Sequence, residues 1–288
     1  MMVREPVVAG RFYPEQEAPC RAALDQMLGG VEVASLEGRR PLGGLVPHAG
    51  WDYSGAITAR VFKTLAQRQP EVVVLLGGVH RFRGKEAPMF ARGRWETPLG
   101  PVQIDTRLAE RILGQTNLIV EDPYAHEDEH SLEVQAPFVR HLFPQAKVVP
   151  LMVPAVAIAH EVGEAVARTL DAYDYDALIV GTTDLTHYGP HYGFMPMGIG
   201  PKGHEWAKDN DKRFIELVRK MKGTQLVREA GENRNACSSG AAAATVAAVT
   251  AMGASEGILL DHFSSSEVSR QSLFDKSDSV GYAGIVFV

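Results

Sequence analysis

The sequence predicts an α/β fold: a single domain over residues 1–288, with a mostly parallel sheet flanked by helices. Two observations predict it. Apolar runs rich in β-branched residues alternate with segments of 3.6-residue apolar period, the alternation that βαβ units produce. No internal repeat, low-complexity linker or composition shift interrupts that alternation, and 288 residues with a 45% hydrophobic fraction suffice for one large core.

Each element follows from its residues. Gly43 to Val46 is a short apolar run leading into Pro47-His48. Asp52 to Gln69 reads as a helix, because Ile57, Val61, Phe62 and Leu65 share one face, and Pro70 stops it. Glu71 to Gly77 holds the run Val72-Val73-Val74-Leu75-Leu76, which suits a strand buried on both faces. Ala87 to Ile104 is broken by Gly93, Pro98 and Gly100 and reads as a hairpin-like insertion. Ser131 to Phe143 reads as helical, with Pro137 marking a kink or the true start. Lys147 to Val153 is another buried strand, Ile158 to Leu170 a helix, and Ala177 to Val180 a third apolar strand closed by Gly181. Gly189 to Gly203 is a long loop, and Glu205 to Met221 a charged, exposed helix. Ser239 to Met252 is an Ala-rich helix stopped by Gly253, and Ile258 to Phe263 and Tyr282 to Val288 are closing strands.

Charge and composition exclude several classes. The net charge is −6 and no long Lys/Arg run occurs, which argues against a nucleic-acid-binding stripe. No window reaches the roughly 20 apolar residues of a membrane span. Two cysteines, Cys20 and Cys237, are too few for a disulfide framework, and the N-terminal residues carry no signal-peptide pattern. A cytoplasmic location is expected, with Cys20 assigned to packing.

Three apolar runs end in reactive side chains. Leu45-Val46-Pro47 leads to His48, Leu75-Leu76-Gly77-Gly78-Val79 to His80, and Leu178-Ile179-Val180-Gly181 to Thr182-Thr183-Asp184-Leu185-Thr186-His187. Ligands of open α/β sheets bind outside the carboxyl ends of strands, so parallel neighbours would bring these tips into one crevice. Cys237 precedes the Ala-rich helix, and a helix N-terminus favours a thiolate, which is both a nucleophile and a soft metal ligand. Asp184 and His187 stand three apart, a spacing at which the carboxylate can orient the imidazole. His130 and Glu133 share that spacing, as a metal pair, a proton-transfer pair or a capping arrangement; the stretch Glu127-Asp128-Glu129 beside them has the composition of a solvated face. Taken singly, each also has a structural reading: His48 as a hydrogen-bonded residue at a helix entry, Cys237 as a buried thiol, Asp184 as an N-cap. There is no G-x-G-x-x-G, no phosphate-binding loop and no Gly-x-Ser-x-Gly elbow.

Several blocks together resemble the Memo family, whose prokaryotic members include AmmeMemoRadiSam system protein B. They are Ala9-Gly10-Arg11-Phe12-Tyr13-Pro14, Pro47-His48-Ala49-Gly50-Trp51-Asp52-Tyr53-Ser54-Gly55, Gly78-Val79-His80, Glu129-His130-Ser131-Leu132-Glu133, Thr183-Asp184-Leu185-Thr186-His187-Tyr188-Gly189 and Ala236-Cys237. The resemblance implies a fold like the LigB-type class III extradiol dioxygenases, which are non-haem iron enzymes. It implies His48, His80 and Cys237 as metal ligands, with Asp184, His187 and His130 lining the pocket. A Gly often follows the ligand Cys in that family; here Ser238 stands there, and its side chain would narrow the pocket. A thiolate in place of the usual carboxylate is softer, so copper or zinc would suit the site as well as iron, and the thiolate would be prone to oxidation. Three readings follow: an iron oxidoreductase acting on a small molecule, with His187 as acid/base and His130 holding a substrate oxygen; a metal-free hydrolase with Cys237 as nucleophile activated by His80 or His187; and a module binding a peptide or partner without catalysis.

Overall fold

A computed structural model describes residues 2–81, 84–268 and 277–288. The chain opens with β1 (Val3–Arg4) and α1 (Glu17–Gly29), then β2 (Gly43–Val46), α2 (Trp51–Leu65) and β3 (Val72–Gly77). Short strands follow, β4 (Ala87–Met89), β5 (Arg94–Trp95) and β6 (Val102–Gln103), before α3 (Thr106–Leu113) and β7 (Ile119–Glu121). Next come α4 (Ala136–Leu142), β8 (Lys147–Met152), α5 (Ala159–Ala172) and β9 (Ala177–Thr182). The last part holds β10 (His187–Tyr188), α6 (Pro201–Arg219), α7 (Gly223–Asn233), α8 (Ser239–Ala251), β11 (Gly257–Ser264), α9 (Ser265–Val268) and β12 (Ser279–Phe287).

Among the described residues, the main sheet has nine strands in the order β10-β12-β2-β9-β3-β8-β4-β7, with β11 on β12. Its centre, β2-β9-β3-β8, is parallel. Its flanks are not: β12 runs antiparallel to β2, β11 and β10, and β4 antiparallel to β8. The sheet is therefore mixed, which corrects the mostly parallel expectation. The reason is physical. A strand buried on both faces reads as a continuous apolar run in either direction, so its pattern carries no sign of its polarity.

Side chains alternate across the sheet. Val72, Val74 and Leu76 of β3 pack in one layer with Val162 and Val166 of α5 and with α8. Val73 and Leu75 pack in the other, with Leu24 of α1, Phe62 of α2 and Phe138 of α4. Each such fully buried aliphatic or aromatic side chain contributes about 1.5–3 kcal/mol. The Ala-rich composition of α8 follows from close packing on every side. A Cβ on Gly163 of α5 would lie 2.0 Å from the Ala244 carbonyl oxygen, and one on Gly181 of β9 would lie 2.0 Å from Thr245 Oγ1. Only a helix of small residues fits between them.

Several boundaries differ from the sequence reading. The helix expected to reach Gln69 ends at Leu65, before Pro70 acts. Pro137 marks a true start, because a 3₁₀ turn over Glu133–Gln135 precedes α4. Of the 87–104 insertion, β5 and β6 form a hairpin in a small sheet with β1, whereas β4 joins the main sheet. The helix read as exposed from Glu205 begins at Pro201 and buries Phe214, Ile215 and Val218.

Candidate metal centre

The strands β2, β9 and β3 lie side by side and parallel, so their carboxyl ends open onto one place. His48 follows β2, the Thr182–His187 loop follows β9, and His80 follows β3. Cys237 comes from elsewhere, just ahead of α8, and its backbone N–H donates to the Asp184 carbonyl at 3.1 Å. The donor atoms of His48, His80 and Cys237 all lie within 4.8 Å of one another. Cys237 Sγ is 3.2 Å from His48 Nε2.

Both imidazoles are oriented through Nδ1. His48 Nδ1 meets Thr182 Oγ1 at 3.0 Å, and the His48 backbone N–H donates to Asp184 Oδ1 at 2.8 Å. His80 Nδ1 meets Glu129 Oε1 at 2.9 Å, and the His80 N–H donates to Glu129 Oε2 at 3.0 Å. Ser131 N–H donates to the same carboxylate at 2.8 Å. A carboxylate only accepts, so His80 Nδ1 is the protonated nitrogen and Nε2 is left for another partner.

The electrostatics follow this wiring. Burial pulls the His80 imidazolium down, but its hydrogen bonds to Cys237 and Glu129 outweigh that, and its pKa is raised to about 9. Burial likewise acts against the Glu129 carboxylate, yet its bonds to His80 and Ser131 hold it well below the usual range. His130 is pushed down to about 4, by burial first and then by His48 and His80. It is neutral at pH 7, with its ring centroid 4.7 Å from that of His80 and 5.5 Å from that of His48.

A cleft of about 290 Å³ adjoins the cluster. His130, Asp184 and His187 line it, as do the aromatic rings of Phe12, Tyr53, Tyr192 and Tyr282, with Arg11 and Asp278 also on its wall. His187 donates from Nδ1 to the Leu185 carbonyl at 3.0 Å and meets Tyr192 edge-on at 4.9 Å. The sequence-derived set therefore converges: His48, His80 and Cys237 in one cluster, with Asp184, His130 and His187 beside it. Glu133 does not join them. It is buried against Arg4 at 2.9 Å and accepts from Val7 N–H, Val8 N–H and the Tyr13 hydroxyl, so it ties down the N-terminal segment.

The part played by Glu129 escaped the sequence reading. Glu129 belongs to a stretch with the composition of a solvated face, yet it is 4% exposed while its neighbours Glu127 and Asp128 are exposed. The available signal was its place immediately before His130. Thr182 and Thr183 are also buried. Thr183 Oγ1 accepts the Ser238 N–H at 3.1 Å and lies 3.9 Å from Cys237 Sγ. Ser238, expected to narrow the pocket, is buried with its hydroxyl 3.5 Å from that sulfur. Gly78 makes room for it: a Cβ there would lie 2.0 Å from Ser238 Oγ, and the residues lining the cleft do not include Ser238.

Comparison with known proteins agrees on one family. The family described as Memo-like protein matches residues 4–286. A MEMO1 family protein of Methanopyrus kandleri is 36% identical over 298 residues, covering 99% of both chains. A MEMO1 family protein of Nitrosopumilus maritimus is 33% identical over 296 residues, covering 100% of both. Among solved structures, that of an uncharacterized protein from Escherichia coli K12 aligns with a TM-score of 0.52 at 15% identity, over 85% of this chain and 99% of its own, a likeness of fold.

Proposed function

The chain belongs to the Memo family, and on that premise we propose that it is a non-haem iron oxidoreductase that holds its metal through His48 Nε2, His80 Nε2 and Cys237 Sγ and acts on a small molecule in the adjoining cleft. One observation carries the reading. Both histidines have Nδ1 committed to a neighbour, which fixes ring orientation and leaves Nε2 facing the thiol, the wiring that metal-binding histidines use. The donor geometry fits as well. Bonds of about 2.3 Å to sulfur and 2.0–2.1 Å to nitrogen at a tetrahedral angle put S and N roughly 3.5 Å apart, close to the observed 3.2 Å.

Iron held there would supply one-electron redox chemistry, and copper or zinc would also suit a thiolate. The remaining roles belong to the protein. Asp184 fixes the His48 backbone, Glu129 holds the His80 ring, and neutral His130 is placed to hydrogen-bond a substrate oxygen. His187, with its proton on Nδ1, turns an accepting Nε2 toward bound ligand and can take a proton there. The aromatic walls exclude water and receive a flat apolar body.

A second reading draws on the 3.2 Å contact between Cys237 Sγ and His48 Nε2, which also describes a nucleophile and its base. In that reading His48 takes the role that the sequence assigned to His80 or His187. Anaerobic purification followed by elemental analysis and spectroscopy of the reduced iron form separates the two. Stoichiometric metal lost in Cys237→Ser supports the oxidoreductase. Metal-free protein whose Cys237 is labelled rapidly by electrophiles supports the hydrolase.

A further inference from the structure

His187 is held by one peptide group, and that group is held in turn from outside the cleft. The Leu185–Thr186 peptide offers its C=O to His187 Nδ1–H at 3.0 Å and its N–H to Asp211 Oδ1 at 2.8 Å. The other carboxylate oxygen of Asp211 accepts from His262 Nε2–H at 3.0 Å. We propose that Asp211, braced by His262, is a positioning residue that sets the tautomer and aim of His187 through this single peptide.

The chain of hydrogen bonds runs in one direction, His187 Nδ1–H to O=C–N–H to carboxylate. A carbonyl cannot donate, so it forces the His187 proton onto Nδ1 and leaves the Nε2 lone pair for the cleft. An ionised carboxylate on the N–H end polarises the amide and makes its oxygen a better acceptor, so the charge of Asp211 reaches His187 without contact. An aspartate bonded directly to a catalytic histidine does the same work over a shorter path.

The surroundings are built for this pair. The Asp211 side chain is 2% exposed and that of His262 11%. Gly281 leaves the space: a Cβ there would lie 2.0 Å from Asp211 Oδ2. Gly281 also zips the loop to β12, accepting from Leu185 N–H at 2.8 Å and donating to the Thr186 carbonyl at 3.1 Å. The preceding residue on α6 braces the second loop. Asn210 Nδ2 donates to Thr186 Oγ1 at 3.2 Å, while its carbonyl accepts from Asn235 Nδ2 at 3.0 Å, close to Cys237 in sequence. An apolar residue at position 211 would be cheaper to bury; what the carboxylate adds is direction.

This inference rests on the reading of His187 as the proton-handling group of the cleft, and its test is kept independent of the metal. The His187 tautomer is read from ¹⁵N shifts of the metal-free full-length protein, and Thr186 amide exchange from the same sample. In Asp211→Ala the His187 signals should move toward a mixture of tautomers, and Thr186 exchange should rise about tenfold or more, the loss of a charge-assisted hydrogen bond. Asp211→Asn keeps an acceptor for Thr186 but not the charge and should fall between; His262→Gln should also shift His187. A lower Tm with unchanged His187 signals would mean that Asp211 only packs, and would overturn the proposal. If Asp211→Ala does not fold, unchanged His187 signals in both Asp211→Asn and His262→Gln overturn it equally. Wild-type protein that binds no metal would defeat the proposed function while leaving the tautomer result standing.

Discussion

Replacing Glu129 by Gln should weaken metal binding without unfolding the protein. The carboxylate accepts three N–H groups, from His80 Nδ1, the His80 backbone and Ser131, in a site only 4% exposed. Gln keeps the shape but removes the charge and turns one acceptor into a donor. Hydrogen bonds to a charged group contribute about 1.5–3 kcal/mol each. The bond that matters for metal is the one to His80 Nδ1, since it aims Nε2 and raises its basicity. Losing the partner of a ligand histidine ordinarily costs about 10–100-fold in metal affinity, which is roughly 1.4–2.7 kcal/mol at about 1.36 kcal/mol per decade. The two routes agree in scale. Competition with a chromophoric chelator, using Co(II) or Zn(II) on anaerobic wild-type and Glu129→Gln protein, measures the ratio directly, and a melting curve checks folding. A ratio under about threefold in a normally folded variant would refute the view that Glu129 orients a ligand.

Other outcomes follow from the same geometry. Because His80 in the metal-free protein titrates near 9, a metal must displace its proton; binding should release one proton from His80 at neutral pH, and apparent affinity should rise by about a decade per pH unit up to that value, as followed by titration in buffers of differing ionisation heat. The sign reverses for stability of the metal-free form: the raised His80 value favours the folded state fully below about 6.5 and that share fades as pH rises through 9. His126 acts oppositely. It is fully buried with its value pushed down to about 3, chiefly by burial and then by Arg4, so the unfolded chain takes up a proton that the folded one refuses; stability should fall by about 1.4 kcal/mol per pH unit below about 6.5, and His126→Asn should flatten that slope in denaturant titrations. Glu133→Gln leaves Arg4 charged and buried, and should cost about 3–5 kcal/mol in urea unfolding with the metal site intact once folded. Gly163→Ala drives a Cβ into the Ala244 carbonyl and should cost about 1–3 kcal/mol by the same measurement.

The sequence spoke clearly where chemistry and period coincide. Three buried runs, each tipped by a polar residue, were enough to place His48, His80 and the Asp184–His187 loop at one end of one sheet. Strand direction was not legible, because Val280 to Phe287 is equally apolar read either way. Glu129 was hidden for a different reason. Its neighbours Glu127 and Asp128 are solvated, and composition cannot tell which carboxylate of a run turns inward. Glu133 reversed the lesson: its spacing from His130 was right for a pair, yet a 3₁₀ turn sends it to Arg4 instead. Asp211 lay inside a helix whose charges looked like an exposed face, and only the loop beneath it explains why that charge is buried.

Cys237 and His48 are separated by 189 positions along the chain yet stand 3.2 Å apart. A cation clasping both would act as a tether across 189 of the chain's 288 positions, and loops of that length are the ones whose closure removes most freedom from the denatured ensemble. No fragment ending before Cys237 contains all three donors, so during synthesis the clasp can form only after β2, β3 and β9 have all been made. Metal capture would therefore report on assembly of the parallel centre of the sheet, and a chain that misplaced β2, β3 or the segment just ahead of α8 would leave its cation in solution.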